Sequence, residues 1–130
     1  MTRDPAPGGR EGRRLAYRRG RRGEALAAWW LRLKGYRILE RGLKSPVGEI
    51  DIVACRGRTL AIVEVKRRDD DVAVVDAIGP RQQARIARAA AWLLSRRPEL
   101  AGHAVRFDLL LITPRRWPRH LADAWRTESR

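Results

Sequence analysis

Cysteine is almost absent from this chain, and long apolar segments are absent altogether. The single cysteine, Cys55, excludes an internal disulfide framework and any zinc site built from several cysteines. His103 and His120 do not belong to any Cys or His spacing that is typical of a metal-binding motif. No run of about 18 apolar residues occurs, which excludes a membrane-spanning helix. Met1 is not followed by the apolar core of a signal peptide, so we expect a cytoplasmic protein without membrane insertion.

Lysine and acidic residues are also scarce. Lys34, Lys44 and Lys66 are the only lysines among 29 basic residues, against 15 acidic residues, and the formal net charge is +14. This excess favours a polyanionic partner, nucleic acid first and an anionic membrane second. A GC-rich genome can account for the preference for arginine over lysine, but it does not account for the excess of basic over acidic residues.

The 130 residues are enough for one domain with one core. Residues 1–22 are rich in arginine, and their prolines and glycines interrupt any long helix. They predict a basic, flexible arm ahead of a single domain over residues 23–130. The arginines that we expect to bind nucleic acid are Arg13, Arg14, Arg18, Arg19, Arg21 and Arg22 in the arm, and Arg67 and Arg68 in the domain.

The apolar periodicity of the domain predicts the element order α-β-β-β-α-β. The expected elements are a helix over 24–34, strands over 36–39, 49–55 and 59–67, a helix over 80–97 and a strand over 105–112. Residues 121–125 are expected to form one or two further helical turns. This mixture predicts an α/β fold with a central mixed sheet flanked by helices.

The segment from Arg56 to Thr59 predicts a tight hairpin, because Gly57 stands at the first central position, as a type II′ turn requires. In that register Asp51 faces Glu64. Glu49 and Lys66 face each other one pair further along the same face. The other face carries only the apolar residues Ile50, Ile52, Ala54, Ala61, Val63 and Val65.

Two opposed carboxylates repel each other, and a divalent cation removes that conflict. Mg²⁺, or Mn²⁺ in its place, takes one or two carboxylates together with water and phosphate oxygens. Asp51 and Glu64 are therefore the predicted metal ligands, with the backbone carbonyl of Val65 as a further oxygen. Lys66 would hold the nucleophilic water or neutralise charge on the phosphate. A strand with one solvated face shows the same alternation, but here apolar residues nearer the turn partly cover that face, which favours a site.

Three segments resemble the YraN family of small bacterial proteins: residues 48–54 (GEIDIVA), 63–66 (VEVK) and 106–108 (RFD). The resemblance extends over about residues 20–125. It implies a restriction-endonuclease-like core, related to the archaeal Holliday junction resolvases. The Asp…Glu-x-Lys signature of that fold falls on Asp51, Glu64 and Lys66, which it implies to be catalytic.

The resemblance also implies accessory residues around this set. Glu24 matches an acidic residue on the first helix, and Glu49 is either a further acidic contact or a salt bridge to Lys66. The chain departs from the family at Gly42, where an asparagine is frequent, and at Gln82, where a lysine is frequent. Both positions bear on phosphate contacts, and Gln82 is kept as an accessory candidate.

The leading hypothesis is an Mg²⁺-dependent or Mn²⁺-dependent endonuclease that hydrolyses phosphodiester bonds in structured or branched DNA, with DNA favoured over RNA. A homodimer is compatible with it, because two-fold dimers are the commonest oligomers. The alternative is a non-catalytic nucleic-acid-binding protein that retains the nuclease fold. A third hypothesis is an accessory protein of the ribosome or of an anionic membrane. The intact Asp51, Glu64 and Lys66 set favours the enzyme, because a pure binding protein does not need carboxylates directed at phosphate.

The remaining aromatic and buried acidic residues carry weaker expectations. Trp29, Trp30 and Trp92 are expected in the core. Trp117 and Trp125, in a basic tail, are candidates for stacking on a base. Asp108, within a buried strand, is expected to pair with Arg106 or with a backbone group rather than with a metal.

Overall fold

A computed structural model describes residues 23–68 and 78–127. The predicted arm over 1–22 and the acidic run at 69–71 lie outside these residues. Residues 23–33 are helical and form α1. The later elements are β1 (Arg37–Ser45), β2 (Gly48–Arg56), β3 (Thr59–Arg67), α2 (Pro80–Arg96), a 3₁₀ turn (Pro98–Leu100), β4 (Ala104–Ile112) and β5 (Arg119–Trp125).

The five strands form one mixed sheet in the order β1-β2-β3-β4-β5. β3 and β4 are parallel, and the connection between them includes α2, whereas the other neighbours are antiparallel. Pro80 begins α2, where its missing N–H leaves no hydrogen bond unmade. The predicted α/β fold with a mixed sheet and flanking helices is confirmed. No helix in the described part of the chain is long and apolar enough to span a bilayer.

The sheet separates two apolar clusters, one under each helix. On the α1 side, Ala27, Ala28 and Leu31 pack against alternate residues of β2, β3 and β4. On the α2 side, the helix packs against the intervening residues of these strands. Its contacts are made by Ile86, Ala89, Ala90 and Leu93. Because both faces are covered, β4 is buried at every position from Phe107 to Ile112, as the continuous apolar run predicts.

The prediction of helical turns near the C-terminus is wrong. Residues Arg119–Trp125 form β5, an edge strand paired with β4. The segment has no strong local preference, and pairing with β4 decides its conformation. Trp125 stacks on Phe107, with ring centroids 4.3 Å apart.

Smaller differences concern β1, Ile50 and Trp29. β1 continues to Ser45, well beyond the predicted short strand, because it forms a hairpin with β2. Ile50 belongs to the α2 cluster rather than sharing a face with Ile52, so the alternation of β2 is interrupted at Asp51. Trp29 is 46% exposed and is not a core residue.

Candidate active site

The β2–β3 hairpin has the predicted register near its turn. Cys55 pairs with Leu60 and Val53 with Ile62, and Gly57 has φ +61° at the first central position of the turn. The ladder ends at the pair formed by Ile52 and Val63. Asp51 and Glu64 therefore lie just past the last ladder pair, where the backbones of β2 and β3 separate.

The Asp51 carboxylate occupies this opening between the strands. The Val65 N–H donates a hydrogen bond to Asp51 Oδ2 at 2.8 Å, so a side chain takes the place of a ladder partner. The N–H and C=O of one strand residue point to the same side. The Val65 carbonyl is consequently directed toward the same opening, where the sequence predicts an additional oxygen.

The start of β2 passes close to the backbone of α2. Gly48 has φ +153°, and a Cβ there would lie 3.4 Å from the backbone oxygen of Arg85 on α2. On the other side of the sheet, Gly23 at the start of α1 lies near the Val65 side chain, 3.9 Å from a Cβ built on the glycine. The strand ends that carry the carboxylates therefore lie near both helices.

Glu64 is buried, with 8% exposure, and its partners come from two elements. Gln82 Nε2 donates to Glu64 Oε2 at 2.7 Å from the first turn of α2. Lys66 Nζ lies 3.6 Å from the same oxygen. The three predicted catalytic residues therefore lie together, and Gln82 contacts the same site through Glu64.

The two carboxylates form a coupled pair. Burial raises the pKa of Asp51, although the Val65 N–H, Lys66 and a hydrogen bond with Glu64 act in the opposite direction. Burial and then the charge of Asp51 raise the pKa of Glu64 to about 7, against the lowering effect of Lys66. Near neutral pH, Glu64 is therefore only partly ionised.

The other acidic candidates lie at the margin. Glu49 Oε2 is 3.3 Å from Lys44 Nζ, so its ion pair is with Lys44 rather than with Lys66. Glu24 lies against β1, because a Cβ on Gly42 would be 3.6 Å from Glu24 Oε1. Within residues 23–68 and 78–127, no group of three or more His, Cys, Asp or Glu side chains is arranged to hold a metal.

The arginines expected to bind nucleic acid divide into two groups. Those at positions 13–22 lie outside the described residues. Arg67, at the end of β3, is exposed, and the Arg68 guanidinium donates to the Arg67 carbonyl at 3.0 Å. Both arginines directly follow Lys66 on the chain, so they border the carboxylate pair.

A second polar cluster, which sequence reasoning found only in part, lies around Asp108 on the α1 side of the sheet. Arg106 donates to both oxygens of Asp108 at 2.8 Å, and the Asp123 N–H donates to Oδ1 at 2.9 Å. This confirms that Asp108 pairs with Arg106 and a backbone group. His120 Nε2 lies 2.8 Å from Asp108, and Lys34 Nζ lies 2.6 Å from His120 Nδ1. His120 was missed because it is on β5, which the local sequence does not predict.

The electrostatics of this cluster are those of a structural ion pair. Burial raises the pKa of Asp108, but hydrogen bonds from His120, Arg106 and the Asp123 N–H outweigh it and lower that pKa to about 2. Asp108 is therefore ionised and fully paired. The shift is opposite in direction to the raised pKa values of Asp51 and Glu64.

Residues 23–112 match the family described as Uncharacterised protein family UPF0102, which is the YraN family. The chain belongs to this family. The resemblance inferred from the sequence motifs is thereby confirmed.

Close relatives occur in several bacteria. A UPF0102 protein of Parvibaculum lavamentivorans is 61% identical over 85% of this chain and 84% of its own length. A UPF0102 protein of Caulobacter vibrioides is 50% identical over 92% of this chain and 97% of its own length. These relatives align along almost their whole length with the chain described here.

One solved structure relates the fold to a nuclease. A Holliday junction resolvase from the archaeal hyperthermophile Archaeoglobus fulgidus superposes with a TM-score of 0.56 at 22% identity, covering 78% of this chain and 73% of the resolvase. At this identity the similarity establishes the fold. The predicted resolvase-like architecture of this family member is therefore confirmed.

Proposed function

We propose that this protein is a divalent-metal-dependent endonuclease that hydrolyses phosphodiester bonds in structured or branched DNA. The observation that carries the proposal is that half-buried Asp51 and buried Glu64 meet where β2 and β3 separate, with Lys66 Nζ 3.6 Å from Glu64. Two neighbouring carboxylates repel each other when both are ionised, so folding alone does not favour this arrangement. The resolvase fold and the net charge of +14 support a DNA substrate.

Each residue has a distinct role in this proposal. Asp51 and Glu64, with the Val65 carbonyl, would hold Mg²⁺ or Mn²⁺, and the bound ion would supply charge neutralisation at the scissile phosphate. The Val65 N–H fixes the orientation of Asp51, and Gln82 fixes that of Glu64. Lys66, a cation on the same face, would position the attacking water or the phosphate oxygen.

A non-catalytic DNA-binding protein is the second candidate, and one contact favours it. Gln82 and Lys66 both approach the same oxygen of Glu64, so that oxygen is already satisfied without a cation. In that case the carboxylate cluster would serve stability alone. The basic surface would serve either function equally well.

The deciding experiment is cleavage of linear, forked and four-way DNA of matched length in Mg²⁺, Mn²⁺ or EDTA. The parent should cleave at least one branched substrate with Mg²⁺ or Mn²⁺ and none in EDTA. Asp51→Asn should lower the rate by about 10²-fold or more, the scale expected for loss of a main electrostatic contributor. Binding in EDTA should hold or tighten, because the variant removes a negative charge near an anion.

Glu99→Gln is the matched control. Glu99 is an exposed carboxylate whose partner is Arg97, on the 3₁₀ turn, so its replacement makes the same change in charge away from the pair. It should cleave as the parent does. Metal-independent DNA binding with no cleavage of any substrate would support the second candidate and exclude the nuclease.

A further inference from the structure

Three tryptophans form a connected aromatic surface beside α1. The rings of Trp30 and Trp117 have centroids 5.6 Å apart at 30°, and those of Trp29 and Trp30 are 6.4 Å apart at 46°. Trp117 is 71% exposed and Trp29 is 46% exposed. We call Trp29, Trp30 and Trp117 the tryptophan surface. Most of the Trp117 side chain therefore contributes nothing to the core.

The loop that carries Trp117 begins at the end of the sheet where the candidate active site lies. Trp117 lies in the loop between β4 and β5, and β3 and β4 end side by side because they are parallel. Lys66 pairs with Leu111, and the Arg68 N–H donates to the Ile112 carbonyl at 3.0 Å. The loop that carries Trp117 thus starts next to the strand end that carries Lys66.

The backbone of this loop holds Trp117 in a defined position. Arg115 has φ +64°, a left-handed conformation that L-residues rarely adopt. The Arg116 N–H donates to the Thr113 carbonyl at 3.2 Å, and Thr113 and Pro118 are buried on either side of the exposed segment. One side of the Trp117 ring also contacts Trp30 of α1.

The charges around the surface indicate which ligand it suits. Three exposed arginines lie within three positions of a tryptophan along the chain: Arg32 on α1, and Arg115 and Arg116 in the loop. Aromatic rings flanked by arginines are how proteins bind single-stranded nucleic acid, with bases stacked on the rings and phosphates near the cations. A second copy of this chain would bring another net charge of +14 against the same surface. Charge therefore favours a nucleic acid over a subunit interface.

We propose that Trp117, backed by Trp30 and flanked by Arg115, stacks on an unpaired base of single-stranded or branched DNA. This inference rests on the proposed function for its substrate class, and it adds that the recognised feature is an unpaired nucleotide. Duplex DNA offers no free base face except at its ends. The surface thus gives a physical basis for a preference for forks and junctions.

The test is anisotropy of a fluorescein-labelled oligothymidine of about 15 nucleotides, the upper range of single-strand site sizes, measured in EDTA. A hairpin duplex of the same DNA mass is the comparison. Trp117→Ala should weaken single-strand binding by about 5- to 100-fold, the scale expected when one base no longer stacks on a ring. Trp117→Phe should restore most of the affinity, and duplex binding should change much less. Leu33→Ala is the control, because Leu33 is an exposed apolar residue of α1 without a ring, 62% exposed, and it should bind as the parent does.

Other outcomes overturn the inference. Equal affinity of the parent and Trp117→Ala for the oligothymidine would show that no base stacks on the Trp117 ring. An equal loss of affinity in Leu33→Ala would show a general apolar contact instead. A parent dimer in sedimentation that Trp117→Ala dissociates would make the surface a subunit interface. Because binding is measured without metal, a parent that binds through Trp117 but never cleaves would leave the inference intact and exclude only the nuclease.

Discussion

At the scale of single residues, the two buried acidic centres have opposite electrostatics. Asp108 is surrounded by donors that lower its pKa to about 2, whereas burial and Asp51 raise the pKa of Glu64 to about 7. The first centre stabilises the fold in its ionised form. The second is destabilised by its own charge, which is the condition that a bound cation relieves.

The Glu64 proton gives a pH dependence of stability in EDTA. The folded pKa of about 7 lies above the unfolded value of about 4.3. The stabilising contribution of neutral Glu64 is therefore complete below about pH 4.3 and is lost as the pH rises through 7. Between pH 5 and 8 the parent should lose about 1–3 kcal/mol more unfolding free energy than Glu64→Gln. Urea denaturation of both proteins measures this, and parallel pH profiles would contradict the raised pKa.

Asp108 should behave as a structural residue. Asp108→Asn leaves Arg106 and His120 facing an amide in a fully buried position, and breaking such a pair costs about 3–5 kcal/mol. Asp123→Asn is the matched control, because Asp123 pairs with exposed Arg126 and its φ of +57° is one that asparagine tolerates. It should stay close to the parent in stability, because an exposed ion pair contributes little. Equal stability of the two variants in urea would contradict the assignment.

At the scale of elements, the β2–β3 turn determines the register that brings the catalytic candidates together. Gly57 has φ +61°, and nothing lies within 4 Å of a Cβ built there, so a substitution strains only the backbone. Gly57→Val should destabilise the protein by about 1–3 kcal/mol, and Gly57→Asn by less. Chemical denaturation measures both variants. If both were as stable as the parent, this turn would not control the register.

The hairpin also shows how far sequence reasoning extends. A two-residue turn with glycine at its first position is a local signal, and it predicts the pairing of Val53 with Ile62 correctly. The position where the ladder stops does not depend on a local signal, because the Val65 N–H donates to the Asp51 side chain instead of to a backbone carbonyl of β2. The sequence therefore predicts that Asp51 and Glu64 meet, but not that the backbones separate around them.

The C-terminal segment, in contrast, forms a strand that its local sequence does not predict. Residues 119–125 are a strand only because β4 offers an edge, and the register shift opposite Asp108 lets the Asp123 N–H reach that carboxylate. A contact between residues 15 positions apart on two strands leaves no periodic pattern in the sequence. His120 and its hydrogen bonds could not be predicted for the same reason.

At the scale of the whole molecule, deletion of the basic arm tests whether its positive charge contributes to DNA binding. Deleting residues 1–22 removes eight arginines and two acidic residues, so the net charge falls by 8 − 2 = 6. The slope of log affinity against log salt for duplex DNA should flatten by about 0.9 for each phosphate that the arm neutralises in the parent. The thermal transition should stay close to that of the parent, because the arm contains little apolar material. An unchanged salt slope would mean that the arm does not bind DNA.

The most direct test of the cation site is calorimetric titration of the protein with Mn²⁺ and Mg²⁺ at pH 7.5. We expect one saturable site in the parent. Asp51→Asn and Glu64→Gln should each lose that site, because an amide oxygen is a poorer ligand than a carboxylate. Lys66→Ala and the Glu99→Gln control should retain it. The absence of binding in the parent, or binding that neither carboxylate substitution weakens, would contradict the central claim that Asp51 and Glu64 form a cation site.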